Sequence, residues 1–146
     1  MIRMVIMGNV QSQLRPIVST TQADKKAVAI DPPKCREYKR MTSKVMKNYV
    51  GDDFELLDEP LRVEIDIYRE IPKSWTAKKH KQAVDREIYP TSKNDIDNLS
   101  KPIMDSATGV VWKDDGCVVE LESKKVYSDF PRAEIRIYKI SELTQS

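Results

Sequence analysis

Between Lys93 and Asp105 the chain carries three carboxylates, two side-chain amides and two lysines in thirteen residues. Asp95 and Asp97 are two apart, a spacing that puts both side chains on one side only where the backbone is extended. Inside a helix they would diverge by about 200°. A single Asp before a helix is explained as a cap, but a cap does not explain a second. Two anions held close repel, and without a cation one of them tends to take up a proton. Paired Asp residues are common oxygen ligands of Mg²⁺, which keeps several of its waters. Asp115 is the third candidate. It stands in Val110-Val111-Trp112-Lys113-Asp114-Asp115-Gly116-Cys117-Val118-Val119, where flanking apolar runs make Asp115-Gly116 read as a two-residue hairpin turn. The short connection back to Asp97 also makes a three-carboxylate cluster geometrically reasonable, with Asp114 able to share the role.

The elements that must hold these groups follow from periodicity and from proline. Pro102 belongs near a helix start, because inside a helix it removes a hydrogen bond and clashes with the preceding turn. The economical reading caps a helix near Ser100, with Lys101 and Pro102 in its first turn and Ile103 and Ala107 on its buried face. A competing reading starts at Asn94 or Asp95, accepts a kink at Pro102, and stacks Asp97, Lys101 and Asp105 at steps of four. Either way the acids lie at or near a helix N-terminus, which favours their ionised form.

Strict alternation over residues 61–67 predicts a half-buried strand, and the apolar run 1–7 predicts another. Residues 117–126 and 133–138, joined by Ser128-Asp129-Phe130-Pro131, read as an antiparallel pair. Tyr38, Met41, Val45 and Tyr49 recur at steps of three and four, which predicts an amphipathic helix over 33–49 with those residues inward. Its polar faces are basic: over residues 34–47 six lysines and arginines stand against Glu37 alone. The basic stretch 73–86 reads as a short helix or mobile loop. Residues 11–33 read as a long loop, with a ragged hairpin through 27–30 as an option.

The whole chain has 146 residues, 40% of them hydrophobic and 33% charged. This suits one core and one domain, 1–146, of a soluble globular protein. A net charge of +2 confines any polyanion site to local patches. Cys35 and Cys117 read as reduced thiols, and no apolar run is long enough for a signal peptide or a membrane span. A cytoplasmic location is the default expectation. His80 is the only histidine, which excludes hydrolytic mechanisms built on a histidine pair, including most zinc hydrolases.

Asp95-Ile96-Asp97-Asn98-Leu99-Ser100-Lys101, then Met104-Asp105-Ser106-Ala107, then Gly109 to Asp115 and Val119-Glu120 together resemble the RusA family of Holliday junction resolvases, often encoded in prophages. The characteristic order is Asp-x-Asp-Asn-Leu-x-Lys, then Asp-Ala-Leu, then Asp-Asp. Weaker likeness extends to the N-terminal strand, to Arg15-Pro16 and to the closing strands. The resemblance implies a small homodimeric α+β endonuclease with a mixed or antiparallel sheet and about two main helices. It implies Mg²⁺ or Mn²⁺ as cofactor and branched DNA, a four-way junction, as partner. Asp95, Asp97 and Asp115 match the metal-binding acids, and Lys101 the lysine beside them. Asn94 departs from the basic residue common before the first Asp, where Lys93 could substitute. Ser106-Ala107-Thr108 departs at the helix end, a difference expected to touch packing only.

The chemistry implied is metal-assisted phosphodiester hydrolysis, with Lys101 offsetting charge that develops on the phosphate or the leaving oxygen. Arg15, Lys34, Lys39, Arg40, Lys93 and the run Lys78 to Lys81 are the candidate DNA contacts. Two other classes fit parts of the pattern. A module that binds branched DNA without cutting would not need all three acids. A phosphohydrolase of small nucleotides would not need basic surfaces outside its pocket.

Overall fold

A computed structural model describes residues 1–20 and 27–143. Its elements run β1 (Ile2–Met7), β2 (Ile17–Thr20), β3 (Ala27–Ile30), α1 (Pro33–Val50), β4 (Leu61–Glu70), α2 (Ala77–Val84) and α3 (Ile96–Ala107). A short 3-10 turn at Asp115–Cys117 then leads into β5 (Val118–Ser128), β6 (Arg132–Lys139) and α4 (Ile140–Leu143). The fold is α+β. Four strands form one mixed sheet in the order β1-β6-β4-β5, and β2 and β3 form a separate two-stranded ribbon. That ribbon is the ragged hairpin expected through residues 27–30; residues 21–26 of the same loop lie outside the described residues. No helix among the described residues is long and apolar enough to cross a membrane.

β4 organises the sheet. Its odd positions Leu61, Val63, Ile65 and Ile67 are fully buried, and they join Met4 and Ile6 of β1 and Ile135 and Ile137 of β6 in one apolar layer. Met46 of α1 and Leu99, Ile103 and Ala107 of α3 belong to the same cluster. Both helices therefore cover one face of the sheet. Burial of this layer is the main driving force of the fold.

The sheet corrects one expectation. β5 and β6 are not hydrogen-bonded neighbours, because β4 lies between them, antiparallel to β6 and parallel to β5. The turn at 128–131 does join them in sequence, but β4 offers an apolar face on every second residue and takes the central place, with a strand on each flank. Parallel pairing of β4 with β5 requires a long crossover, and the segment holding α2 and α3 supplies it.

Two further corrections concern α1 and the segment before β5. The buried residues of α1 are Cys35, Thr42 and Met46, while Met41 and Tyr49 are exposed. Tyr49 instead lies over the edge of β1, with its hydroxyl 3.2 Å from Val5 N. No hairpin forms at Asp115-Gly116. Val111 and Trp112 are buried in the core, Trp112 bridges to Leu57 and Thr108, and the 3-10 turn carries the chain into β5. The basic stretch contains α2, capped by Thr76, whose hydroxyl accepts from Lys79 N at 3.2 Å.

Candidate active site

Helix α3 begins at Ile96, with Asp95 at the N-cap position, and runs through Pro102 to Ala107. The expectation of a cap near Ser100 is therefore corrected in favour of the earlier start. Proline is tolerated at this interior position because its consequence is compensated locally. The carbonyl it leaves without a helical donor, Asn98 O, accepts from Gln13 N at 2.7 Å, so a loop residue completes the ladder. Ser100 Oγ lies 2.8 Å from both Ile96 O and Ser123 Oγ, which ties α3 to β5.

With the helix starting at Ile96, Asp97, Lys101 and Asp105 stack on one face. They line a cleft of about 560 Å³ together with Ser100, Met104, Ser123 and Asp115. Two of the acids expected to act together, Asp97 and Asp115, thus reach one cleft from separate segments. Asp95 stands apart from them. It is exposed at the helix mouth, makes no side-chain capping bond, and does not line the cleft. Among the described residues no three Asp, Glu, His or Cys side chains are gathered closely enough to hold a metal ion. The Asp97 side chain makes no hydrogen bond or ion pair among the described residues.

The segment leading to the helix is unusual in its backbone. Lys93 and Asn94 both have positive φ, 58° and 60°, a left-handed conformation that favours Asn but costs energy for Lys. Lys125 Nζ of β5 donates to Asn94 O at 3.1 Å and holds this turn. Such strain persists only where surrounding structure fixes it, and it often lies beside functional residues.

Asp115 is positioned by groups that sequence reasoning did not single out. The Thr108 hydroxyl donates to the Asp115 carboxylate, and Trp112 Nε1 donates to Thr108 Oγ1 at 3.0 Å. The departure at Thr108 therefore touches the site and not packing alone. The available signal was spacing, since Trp112 lies four residues after Thr108 and can fold back in one turn. Asp114 acts differently, for its carboxylate accepts from Gly116 N at 3.3 Å and caps the 3-10 turn.

The chain matches the family described as Endodeoxyribonuclease RusA over residues 8–138. The chain belongs to the RusA family. A Bacillus subtilis (strain 168) protein, described as "Uncharacterized protein YqaN", is 30% identical over 142 residues, covering 96% of this chain and 97% of that one. The RusA match begins just after β1 and ends within β6, so the acids, Lys101 and the segment from Gly109 to Glu120 sit within it.

The basic residues expected to face DNA separate in this RusA-family fold. Arg15, Lys34, Arg40 and Lys93 are exposed. Arg40 is paired with Glu37 at 2.7 Å on the same helix. Lys39 differs, for its ammonium lies 2.6 Å from Asp31 and 2.9 Å from Asp105. Burial alone would lower its pKa, yet hydrogen bonds to these two acids hold it above the ordinary value. Lys39 is thus an internal partner of carboxylates in this structure, on the side of α1 that meets α3.

Proposed function

We propose that the chain is a metal-dependent, structure-specific endodeoxyribonuclease that resolves four-way DNA junctions by paired nicks, working as a homodimer in the bacterial cytoplasm, encoded by the host or a prophage. The observation that carries this reading is the meeting of Asp97, Asp115 and Lys101 in one cleft of a RusA-family chain. With Asp105, the cleft holds three acids and one lysine, a balance that would repel a phosphate unless a cation joined it. Carboxylate oxygens suit Mg²⁺ or Mn²⁺, and Mg²⁺ sites commonly use one or two carboxylates and complete the shell with water and substrate phosphate. Asp97 and Asp115 are the residues that would hold the ion, with Asp95 at the helix mouth as the third acid. The ion would supply a more acidic water and a polarised phosphate.

The remaining work falls to the chain. Lys101, exposed beside the acids, places an ammonium where negative charge develops on the phosphate or on the leaving oxygen. Thr108 and Trp112 fix the Asp115 carboxylate, and Lys125 fixes the turn that presents Asp95. Arg15, Lys34, Arg40 and Lys93 would neutralise neighbouring phosphates, so binding should weaken steeply with salt. A four-way junction has an approximate two-fold axis and needs two cuts, which a C2 dimer matches with one site per protomer.

The test incubates a synthetic four-way junction, with linear duplex as control, in Mg²⁺ or Mn²⁺ with wild type and Asp97→Asn. Wild type should give symmetric paired nicks in the junction only, and Asp97→Asn should bind without cutting. Junction binding with no cleavage by wild type in either ion overturns the enzymatic reading in favour of a binding module.

A further inference from the structure

Four charged side chains run in alternating sign from the start of α1 to the cleft. Asp31 Oδ2 lies 2.6 Å from Lys39 Nζ, Lys39 Nζ lies 2.9 Å from Asp105 Oδ2, and Lys101 Nζ lies 3.0 Å from that same oxygen. We propose that Asp105, clamped by Lys39 and Asp31, is a positioning residue that holds Lys101 at the cleft while leaving it free to move onto a phosphate. This rests on the reading of Lys101 given above and adds a role for three residues, Asp31, Lys39 and Asp105, that act through Lys101.

Simple helix stabilisation accounts poorly for the arrangement. In an i,i+4 pair the favourable order places the acid toward the helix N-terminus, and here the lysine comes first. A lone carboxylate beside Lys101 would also compete with phosphate for its ammonium. Asp105 is not alone, because its Oδ2 is shared between two ammonium groups. Lys39 thereby weakens the hold of Asp105 on Lys101 without removing it. Exposure separates the two lysines: the Lys39 side chain is 19% exposed and the Lys101 side chain 58%. The inner lysine is fixed and the outer one can leave.

The inner end is anchored to rigid backbone. Asp31 precedes Pro32 and Pro33, whose rings restrict both their own φ and the residue before them. Gln13 Nε2 donates to Asp31 Oδ1 at 3.2 Å, and Gln13 N is the donor that satisfies the carbonyl freed by Pro102. The same loop residue therefore braces both the base of the chain of charges and the helix that carries its outer end. A flexible, strongly hydrated ammonium on a four-carbon stem gains from such a support, because small misplacements of a charge that acts on a transition state are costly in rate.

The test measures single-turnover junction cleavage in Mg²⁺ and, separately, junction affinity without divalent ion, for Asp105→Asn, Lys39→Gln, Lys39→Arg, Lys101→Met and the Asp105→Asn/Lys101→Met double variant. Measured at a temperature where every variant is folded, Asp105→Asn and Lys39→Gln should each slow cleavage on the order of tenfold with affinity unchanged, Lys39→Gln also lowering the thermal midpoint because Asp31 and Asp105 lose their shared partner, and Lys39→Arg should recover most of the rate and of the midpoint. Asp105→Asn should cause no further loss once Lys101 is Met, the non-additivity expected of a residue acting through another. Cleavage by Asp105→Asn at the wild-type rate, losses that multiply in the double variant, or a parallel fall in affinity would each overturn the inference while leaving the assignment of Lys101 intact. Wild-type cleavage by Lys101→Met would overturn the role of Lys101 and this inference together.

Discussion

The two faces of the sheet treat charge in opposite ways. On the face away from α1 and α3, the even positions of β4 meet β5 and β6 in a lattice of opposite charges. Arg62 pairs with Glu64 and Glu122, Arg136 with Glu64 and Asp66, and Glu134 with Arg3 and Arg132, at 2.6 to 3.0 Å. On the helical face, Asp97 stands without a partner among the described residues, and Asp115 is held by the Thr108 hydroxyl. Carboxylates matched to guanidinium groups have little left to offer a ligand. Those left open to a cleft remain available to a cation brought from outside. Asp105 lies between these cases, paired with two lysines but shared between them.

The contrast between the two faces is greatest at Asp115. Asp115→Asn should reduce junction cleavage by at least about 100-fold, with an unfolding midpoint no lower than that of wild type, as read by nicking assays beside denaturant melts. The opposite signature is expected on the other face. Arg136→Met leaves Glu64 and Asp66 without their shared partner and should lower stability by about 2 kcal/mol, with cleavage at saturating enzyme preserved. A loss of cutting there, at a temperature where the variant is folded, would break the division between faces.

The same lattice sets an acid dependence. Hydrogen bonds from Arg136, and secondarily from Arg62, hold the Glu64 carboxyl below its ordinary value against the opposing effect of burial. Burial also opposes the shift at Glu134, where Arg3 and Arg132 outweigh it. A carboxyl depressed in the folded state stabilises above its unfolded pKa and loses that contribution as pH falls through the folded value. Unfolding midpoints should therefore drop on acidification below the ordinary carboxylate range, and Glu64→Gln should flatten that slope.

Smaller effects distinguish the neighbours of Asp115. Thr108→Val removes the hydroxyl from its carboxylate and should slow cleavage on the order of tenfold, measured at saturating junction. Asp114→Ala removes only a cap, so about 1 kcal/mol of stability should be lost and the cleavage rate should hold.

Much of the site is legible in the sequence because its chemistry is local. Asp97 and Lys101 lie in one short run, and Asp115 follows closely enough that the chain cannot carry it far, whereas Asp95, in the same run, stands outside the cleft. The helix start is not legible, because proline rules describe a helix in isolation. Gln13, more than eighty residues earlier, supplies the missing hydrogen bond, and nothing near Pro102 announces it. Lys39 reads as one of several basic residues on α1, since helical spacing gives a face but not the acid that will meet it across the helix contact.

Local pattern determined the alternating strand at 61–67, the basic amphipathic helix and the identity of the acids, because periodicity and side-chain chemistry act over a few residues. Tertiary structure alone decided that β4 separates β5 from β6, which acids end up matched and which open, and where Lys39 points. Those outcomes depend on pairings between residues tens of positions apart, chosen by which arrangement buries the apolar layer and leaves the fewest polar groups unsatisfied.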